Sequence, residues 1–450
     1  VAFLFFPLSA AIMKSVTCQK KFPVTIPELY ALFRQHPSVQ TDTRQLKQGD
    51  LFFALKGPNF NGNHFALQAL EAGAAYAIID EAPARPSDRL IVVDDVLGTL
   101  QSLARHHREQ FSIPFIAITG SNGKTTTKEL VSAVLASHFI TYTTQGNLNN
   151  HIGIPLTLLR VGTDAQVAVI EMGANHQKEI AGYCTYTLPT QGIITNAGKA
   201  HLEGFGGVEG VRKGKGELYD FIRANGGTIF AFDDYDYLHT MSQGIPNIVW
   251  YGTQNGRITG QVAASEPYLA VNLQGIEGLS TIETRLVGDY NLPNILCAAA
   301  VGQFFGVPAG KIKTALENYT PSNSRSQLMQ FRGNTIILDA YNANPSSMKA
   351  AIENFARLQA PQKVLLLGGM MELGPDSLRE HQALVDLLQQ HTWQQVVLVG
   401  GDFARVQSPY LYLNNSAEAK EWLKKQQLKD AHILIKGSRS MRMERVLEEE

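Results

Sequence analysis

Hydrophobic positions recur along this chain in two alternating patterns, short apolar runs and stretches of helical period. Residues 113–118 form an apolar run, a glycine-rich turn follows, and Leu130, Val131, Val134 and Leu135 then fall on one helical face. That order is strand, loop, helix. Further apolar runs at 167–170, 192–195 and 228–232 alternate with helical stretches, which predicts βαβ units and a mainly parallel sheet. Ahead of them, the stretch from Val16 to Leu97 carries its own strands at 51–54 and 77–79. After Pro321 the pattern restarts with a strand at 335–338 and a helix from Pro345 whose face holds Met348, Ala351, Ile352 and Phe355. Strands at 364–367, 396–399 and 433–435 complete a second open α/β sheet. Pro345 suits a helix start, where its missing N–H leaves no bond unmade. No repeat or low-complexity segment interrupts the series.

The fold class predicted is therefore α/β. A chain of 450 residues exceeds one ordinary core, and domains of roughly 100–200 residues argue for about three. We place them at 1–98, 99–318 and 319–450. With 44% hydrophobic and 18% charged residues the composition is that of a globular protein, and a net charge of -1 gives no basic excess for nucleic acid. Cys18, Cys184 and Cys297 lie far apart, without metal or redox spacing, and read as reduced thiols.

Residues 1–13 are apolar apart from Ser9, but the flanks do not suit a secretion signal, because Lys14, Lys20 and Lys21 follow the run instead of preceding it. The run is also short of the about 20 residues a membrane span needs. Met13-Lys14 reads as a start, 1–12 as an over-extended reading frame. We expect a cytoplasmic protein without stable membrane insertion.

The most informative segment is Thr119-Gly120-Ser121-Asn122-Gly123-Lys124-Thr125-Thr126, between the predicted strand and helix. Glycines let backbone N–H groups curl around an anion, and the helix N-terminus adds positive potential. Lys124 meets outer phosphates, and the Thr125 hydroxyl suits Mg²⁺. Ile118 stands where the longer phosphate loop has another glycine. Such loops serve many reactions, so other residues must choose. Glu171 ends an apolar strand, where open α/β sheets bind ligands, and reads as a Mg²⁺ ligand or as a solvated strand-end acid. Past the next strand, Asn196 and His201 arrive at the same edge, which favours His201 as a further ligand over a structural imidazole.

These residues resemble the Mur ligases of bacterial cell-wall precursor synthesis, from about Thr41 to Val446. The strings that carry the resemblance are Gly146-Asn147-Leu148-Asn149-Asn150-His151-Ile152-Gly153-Ile154-Pro155, Glu171-Met172-Gly173-Ala174, Tyr341-Asn342-Ala343-Asn344-Pro345 and Lys436-Gly437-Ser438-Arg439. The first and third are similar to those of the member that adds a dipeptide. The resemblance implies an N-terminal domain for a UDP-linked sugar peptide, a central P-loop ATPase sheet and a C-terminal Rossmann-like domain. It implies ATP-dependent amide formation between UDP-N-acetylmuramoyl-tripeptide and D-alanyl-D-alanine, two Mg²⁺ ions, and a monomer. Thr43, Arg44, Lys56, Asn61 and His64, which alone read as surface turns, become substrate groups on this basis. So do Asn149, Asn150, His151, Tyr341, Asn342, Asn344, Lys436, Ser438 and Arg439. Lys215, which alone reads as a solvated charge, matches the family's carbamylated lysine, a metal ligand. Asn291 and Asn294 match the adenine side, and Arg325 and Asp339 the groups that close over ATP. Tyr290, Ser324 and Gly369 stand where the family commonly has His, Gly and Asp. The alternatives are a single-amino-acid ligase of the Mur or folylpolyglutamate synthase type, or a nucleotide-binding module without ligase activity.

Overall fold

In the computed structural model, residues 24–83, 85–322 and 324–448 are described, and they form two compact units that divide after Thr99. The apolar run at 1–13, the predicted start and Cys18 lie outside the described residues.

The smaller unit is built on a parallel four-stranded sheet ordered Val39–Gln40, Leu51–Phe53, Tyr76–Ile79, Leu90–Val92. Phe52, Ala54, Ala69, Ala77 and Ile79 form its core. A small hairpin pairs Lys56–Gly57 with Phe60–Asn61.

The larger unit holds two sheets. The first has nine strands, ordered Thr281–Glu283, Ala270–Gln274, Ile258–Ala264, Asn247–Gly252, Thr228–Phe232, Gln191–Ile194, Phe115–Thr119, Val167–Glu171, Thr141–Thr143. From Thr141–Thr143 through Ile258–Ala264 neighbouring strands are parallel, and the last two pairs turn antiparallel. Phe115–Thr119 is buried at every position, as a strand covered on both faces must be, which explains its unbroken apolar run. It starts at Phe115 because Pro114 has no N–H to give to a ladder.

The second sheet has six strands, ordered Gln327–Phe331, Asn334–Asp339, His432–Lys436, Lys363–Gly368, Gln395–Val399, Leu411–Leu413, with only the first pair antiparallel. Its helix Pro345–Arg357 begins where predicted. The Asn344 side chain accepts from Ser347 N, which satisfies an orphan donor of the first turn. Both sheets turn their strand C-termini toward one cleft of about 1230 Å³. Among the described residues no helix is long and apolar enough to cross a membrane.

Candidate active site

The phosphate-type loop is fixed before any ligand arrives. Gly120 has a φ of 146°, and a Cβ there would stand 2.0 Å from Thr195 Oγ1. Gly123, at φ 78°, turns the chain into helix Lys124–Ala136. The neighbouring strand end holds the loop between them. Ser121 N donates to Asn196 O at 2.9 Å, Asn122 N to Asn196 Oδ1 at 2.9 Å, and Thr195 Oγ1 to Asn122 O at 2.6 Å. Lys124 folds back so that Nζ donates to Gly120 O at 2.6 Å and Ser121 O at 3.1 Å. Burial pushes its pKa down to about 8, the Arg325 charge acts in the same direction and Glu171 opposes both. Of the segment named from the sequence, Ser121 through Thr126 line the cleft, and Thr119 and Gly120 do not.

Glu171, 1% exposed, ends the strand beside this loop, so the alternative of a solvated acid does not hold. Its Oε1 accepts from Thr125 Oγ1 at 3.1 Å and Asn149 Nδ2 at 2.8 Å, whereas its buried Oε2 has no hydrogen-bond partner. A buried carboxylate oxygen left unsatisfied is costly. Together with the Thr125 hydroxyl it forms a hard-oxygen donor set that fits a divalent cation. Among the described residues no three His, Cys, Asp or Glu side chains converge on one point. A Mg²⁺ ion takes one or two protein carboxylates and completes its shell from water and phosphates.

His201 lies beyond strand Gln191–Ile194 with φ 51°, and its Nδ1 is in ion-pair contact with Glu372 Oε2, at angles short of hydrogen-bond geometry. Lys215 overturns its reading as a solvated charge: it is fully buried on helix Val208–Asn225. Its Nζ donates to Ala174 O at 3.0 Å and lies 4.9 Å from the Phe205 ring centroid. No carboxylate among the described residues pairs with it. Burial holds its pKa well below the lysine range, with Lys124 adding to the effect and Glu179 and Glu217 opposing it. Burial that favours the neutral amine makes it a better nucleophile, which fits capture of CO₂; the Lys215 side chain reaches Ala174 behind the Glu171 strand end and does not itself line the cleft.

The six-stranded sheet supplies the facing wall. Arg325 stacks 3.6 Å from the Tyr341 ring centroid, its buried Nε has no hydrogen-bond partner, and it is flanked by Ser324 and Ser326 at φ 56° and 47°. Asp339 accepts from Ser326 N at 3.2 Å and from Lys436 Nζ at 2.6 Å. Asn344 reaches across, its Nδ2 donating to Asn122 Oδ1 of the loop at 2.7 Å. Asn291 and Asn294 are joined at 2.8 Å, and Thr127 Oγ1 donates to Asn294 Oδ1 at 3.0 Å, tying the two helix starts together. Tyr290 Oη shares a 2.9 Å hydrogen bond with Ser326 Oγ, across the two sheets.

Other predicted residues have structural partners. Asn150 Oδ1 accepts from Ile152 N and Gly153 N, and His151 O from Gln101 Nε2. Asn342 Oδ1 accepts from Ala343 N and Arg439 N, Ser438 Oγ donates to Gly369 O, and Arg439 pairs with Glu444. Asn149, Asn150, Tyr341, Asn342 and Lys436 line the cleft; His151, Ser438 and Arg439 do not. In the smaller unit Lys56 pairs with Asp80 and Glu81, and Asn61 donates to Glu81. Exposed Arg44 pairs with Asp42 beside Thr43, and His64 sits in the turn Gly62–Phe65.

Four side chains at the cleft have no part in the predicted site. Lys199 donates to Glu380 at 2.7 Å, Ser346 Oγ accepts from Lys199 N, and Arg212 lies 4.9 Å from the Tyr237 ring centroid at the cleft. Only the position of Lys199 between Asn196 and His201 hinted at a role.

Residues 37–108 match the Mur ligase family, catalytic domain; 118–302 match the Mur ligase middle domain; and 324–439 match the Mur ligase, glutamate ligase domain. The chain is 35% identical to the UDP-N-acetylmuramoyl-tripeptide–D-alanyl-D-alanine ligase of Escherichia coli, over 97% of this chain and 98% of that one. It is 34% identical to the enzyme of the same name from Bacillus subtilis, over 91% and 92%. Among solved structures, MurF from Acinetobacter baumannii superposes with a TM-score of 0.82 at 32% identity, over 91% and 92% of the chains. MurF from Thermotoga maritima in complex with ADP also gives 0.82, at 27% identity over 91% and 96%.

Proposed function

The chain belongs to the Mur ligase family, and on that premise we propose that it uses ATP to join the tripeptide carboxylate of UDP-N-acetylmuramoyl-tripeptide to D-alanyl-D-alanine, in the cytoplasm. A carboxylate is a poor electrophile, so amide formation needs one of its oxygens turned into a leaving group. ATP serves this purpose. The carboxylate attacks the γ-phosphorus and ADP leaves; the dipeptide amine then attacks the acyl carbon, and phosphate departs as the amide forms.

The first step brings two anions together. Lys124 and Arg325, on opposite walls of one cleft, place positive charge where the phosphoryl group must pass. Divalent cations, when bound, would neutralise the transferring charge further. Thr125 and Glu171 would hold one of them, and His201 with a carbamate on Lys215 would hold or orient a second. Asn344, touching the loop from the other sheet, aligns the two walls so that three substrates meet with reacting atoms near roughly 3 Å. Asn291 and Asn294, beside the loop, would take the adenine side.

One observation carries the reading most: the partnerless buried oxygen of Glu171, next to Thr125 and the lysine-bearing loop. The test is purified chain with ATP, Mg²⁺, the UDP-linked tripeptide and D-alanyl-D-alanine, followed by mass detection of the pentapeptide. Lys124→Ala and Glu171→Ala should abolish dipeptide-dependent ADP formation while the protein stays folded. Turnover retained in either variant overturns the assignment.

A further inference from the structure

Residues 198–203 are gripped by the half of the larger unit that carries the six-stranded sheet. Ser346 Oγ accepts from Lys199 N at 3.1 Å, Glu380 accepts from Lys199 Nζ at 2.7 Å, and Glu372 O accepts from Glu203 N at 3.2 Å. In the middle of this seam the carboxylate of Glu372 touches Nδ1 of His201. Both residues adopt left-handed backbone conformations, φ 62° and 51°, which non-glycine residues hold only when their surroundings impose them.

The loop that carries Glu372 is built to be stiff. Met370 N donates to His381 Nε2 at 3.0 Å, inside a core that buries both residues, and Leu373 is buried on the other side. Gly369 lies so close to Gly401 that a Cβ would stand 2.8 Å from its Cα. Glu372, with its side chain half exposed, is thus presented outward from a fixed base.

An imidazole offers a metal only the nitrogen whose proton sits elsewhere, and a carboxylate on one ring nitrogen fixes which one that is. We propose that Glu372 is a positioning residue for His201: when the two halves close, its carboxylate accepts a hydrogen bond from the Nδ1–H and leaves the Nε2 lone pair to a divalent cation. This rests on the reading above in which His201 holds a metal. Closure and metal binding then become one event, because the carboxylate comes from one half and the imidazole from the other.

Mn²⁺ is titrated into full-length wild type, E372A, E372Q, H201A and the double variant, each with a non-hydrolysable ATP analogue and the UDP-linked tripeptide. Bound Mn²⁺ is read by electron paramagnetic resonance, and melting temperature checks the fold. E372A should weaken one Mn²⁺ site by about 10- to 100-fold, and E372Q, which keeps an acceptor oxygen, by about 3-fold. The double variant should bind no worse than H201A. If H201A weakens a site and E372A does not, or if the two losses add, Glu372 is only a latch and the proposal fails. If H201A changes neither site, His201 is not a ligand, and the proposal falls with that assignment while the ATP reading stands.

Discussion

Of the lysines buried in the larger unit, Lys436 and Lys215 lie one beside each sheet, and their surroundings make them opposite kinds of group. Lys436, at the end of the middle strand His432–Lys436, is 2% exposed and meets Asp339 at 2.6 Å. Lys215 is fully buried but meets only a carbonyl oxygen and an aromatic face. The first is half of an ion pair that holds the strand end and the Arg325 segment together. The second is an amine whose pKa burial holds well below the lysine range. Burial alone therefore does not define a lysine's task; the charge of its neighbour does.

The largest expected effect is on stability at the paired site. Lys436→Met leaves the part-buried carboxylate of Asp339 with the Ser326 N–H but without its cation and should cost about 1.5–3 kcal/mol in urea unfolding. The contrast breaks if it costs no more than a surface change. Lys215→Met should do the reverse. Its folded-state pKa is held below the ordinary lysine value, so burial costs stability wherever the pH lies below that ordinary value, and Met removes that cost. We expect a gain of about 0.5–2 kcal/mol, as for other functional strains relieved. Turnover should fall by about 10²- to 10³-fold, as when one preorganised electrostatic group is lost. Short carboxylates should restore part of the turnover of Lys215→Ala, while CO₂-free buffer lowers that of wild type alone.

A third, less buried kind of control is Lys124, which a phosphate must find charged. Because its pKa lies at about 8, ATP affinity should hold below that pH and weaken by about tenfold per unit above it, measured by calorimetry. A flat profile to pH 9 would show that the loop's backbone, not the ammonium, does the binding. The smallest effect belongs to Ser324, held at φ 56° beside Arg325. Ser324→Gly should stabilise by about 1 kcal/mol in the same urea assay, since glycine adopts that conformation without strain.

Much of the frame was legible because it is local. The apolar runs at 167–170, 228–232 and 364–367 fall within strands Val167–Glu171, Thr228–Phe232 and Lys363–Gly368, and the phosphate loop is contiguous in sequence. The antiparallel end of the nine-stranded sheet was not legible. In Ala270–Gln274 only Val271 and Leu273 are buried, too brief an alternation to separate strand from loop. Lys215 has a signal in the sequence. Val211, Leu218 and Ile222 are buried on the same helix, and position 215 lies at helical spacing within their stripe. The Glu372–His201 and Lys199–Glu380 contacts had no signal, because their partners lie far apart in the chain and no periodicity links them.

Gly120 has a consequence for how this gene can drift. Every one-base change that alters a glycine codon's meaning installs a branched or bulky residue, or at least a methyl group, and the nearest obstacle is a threonine oxygen already tied to two carbonyls. The position has no tolerable neighbour in mutational space, so a lineage escaping an inhibitor seated against this turn must change at some other codon.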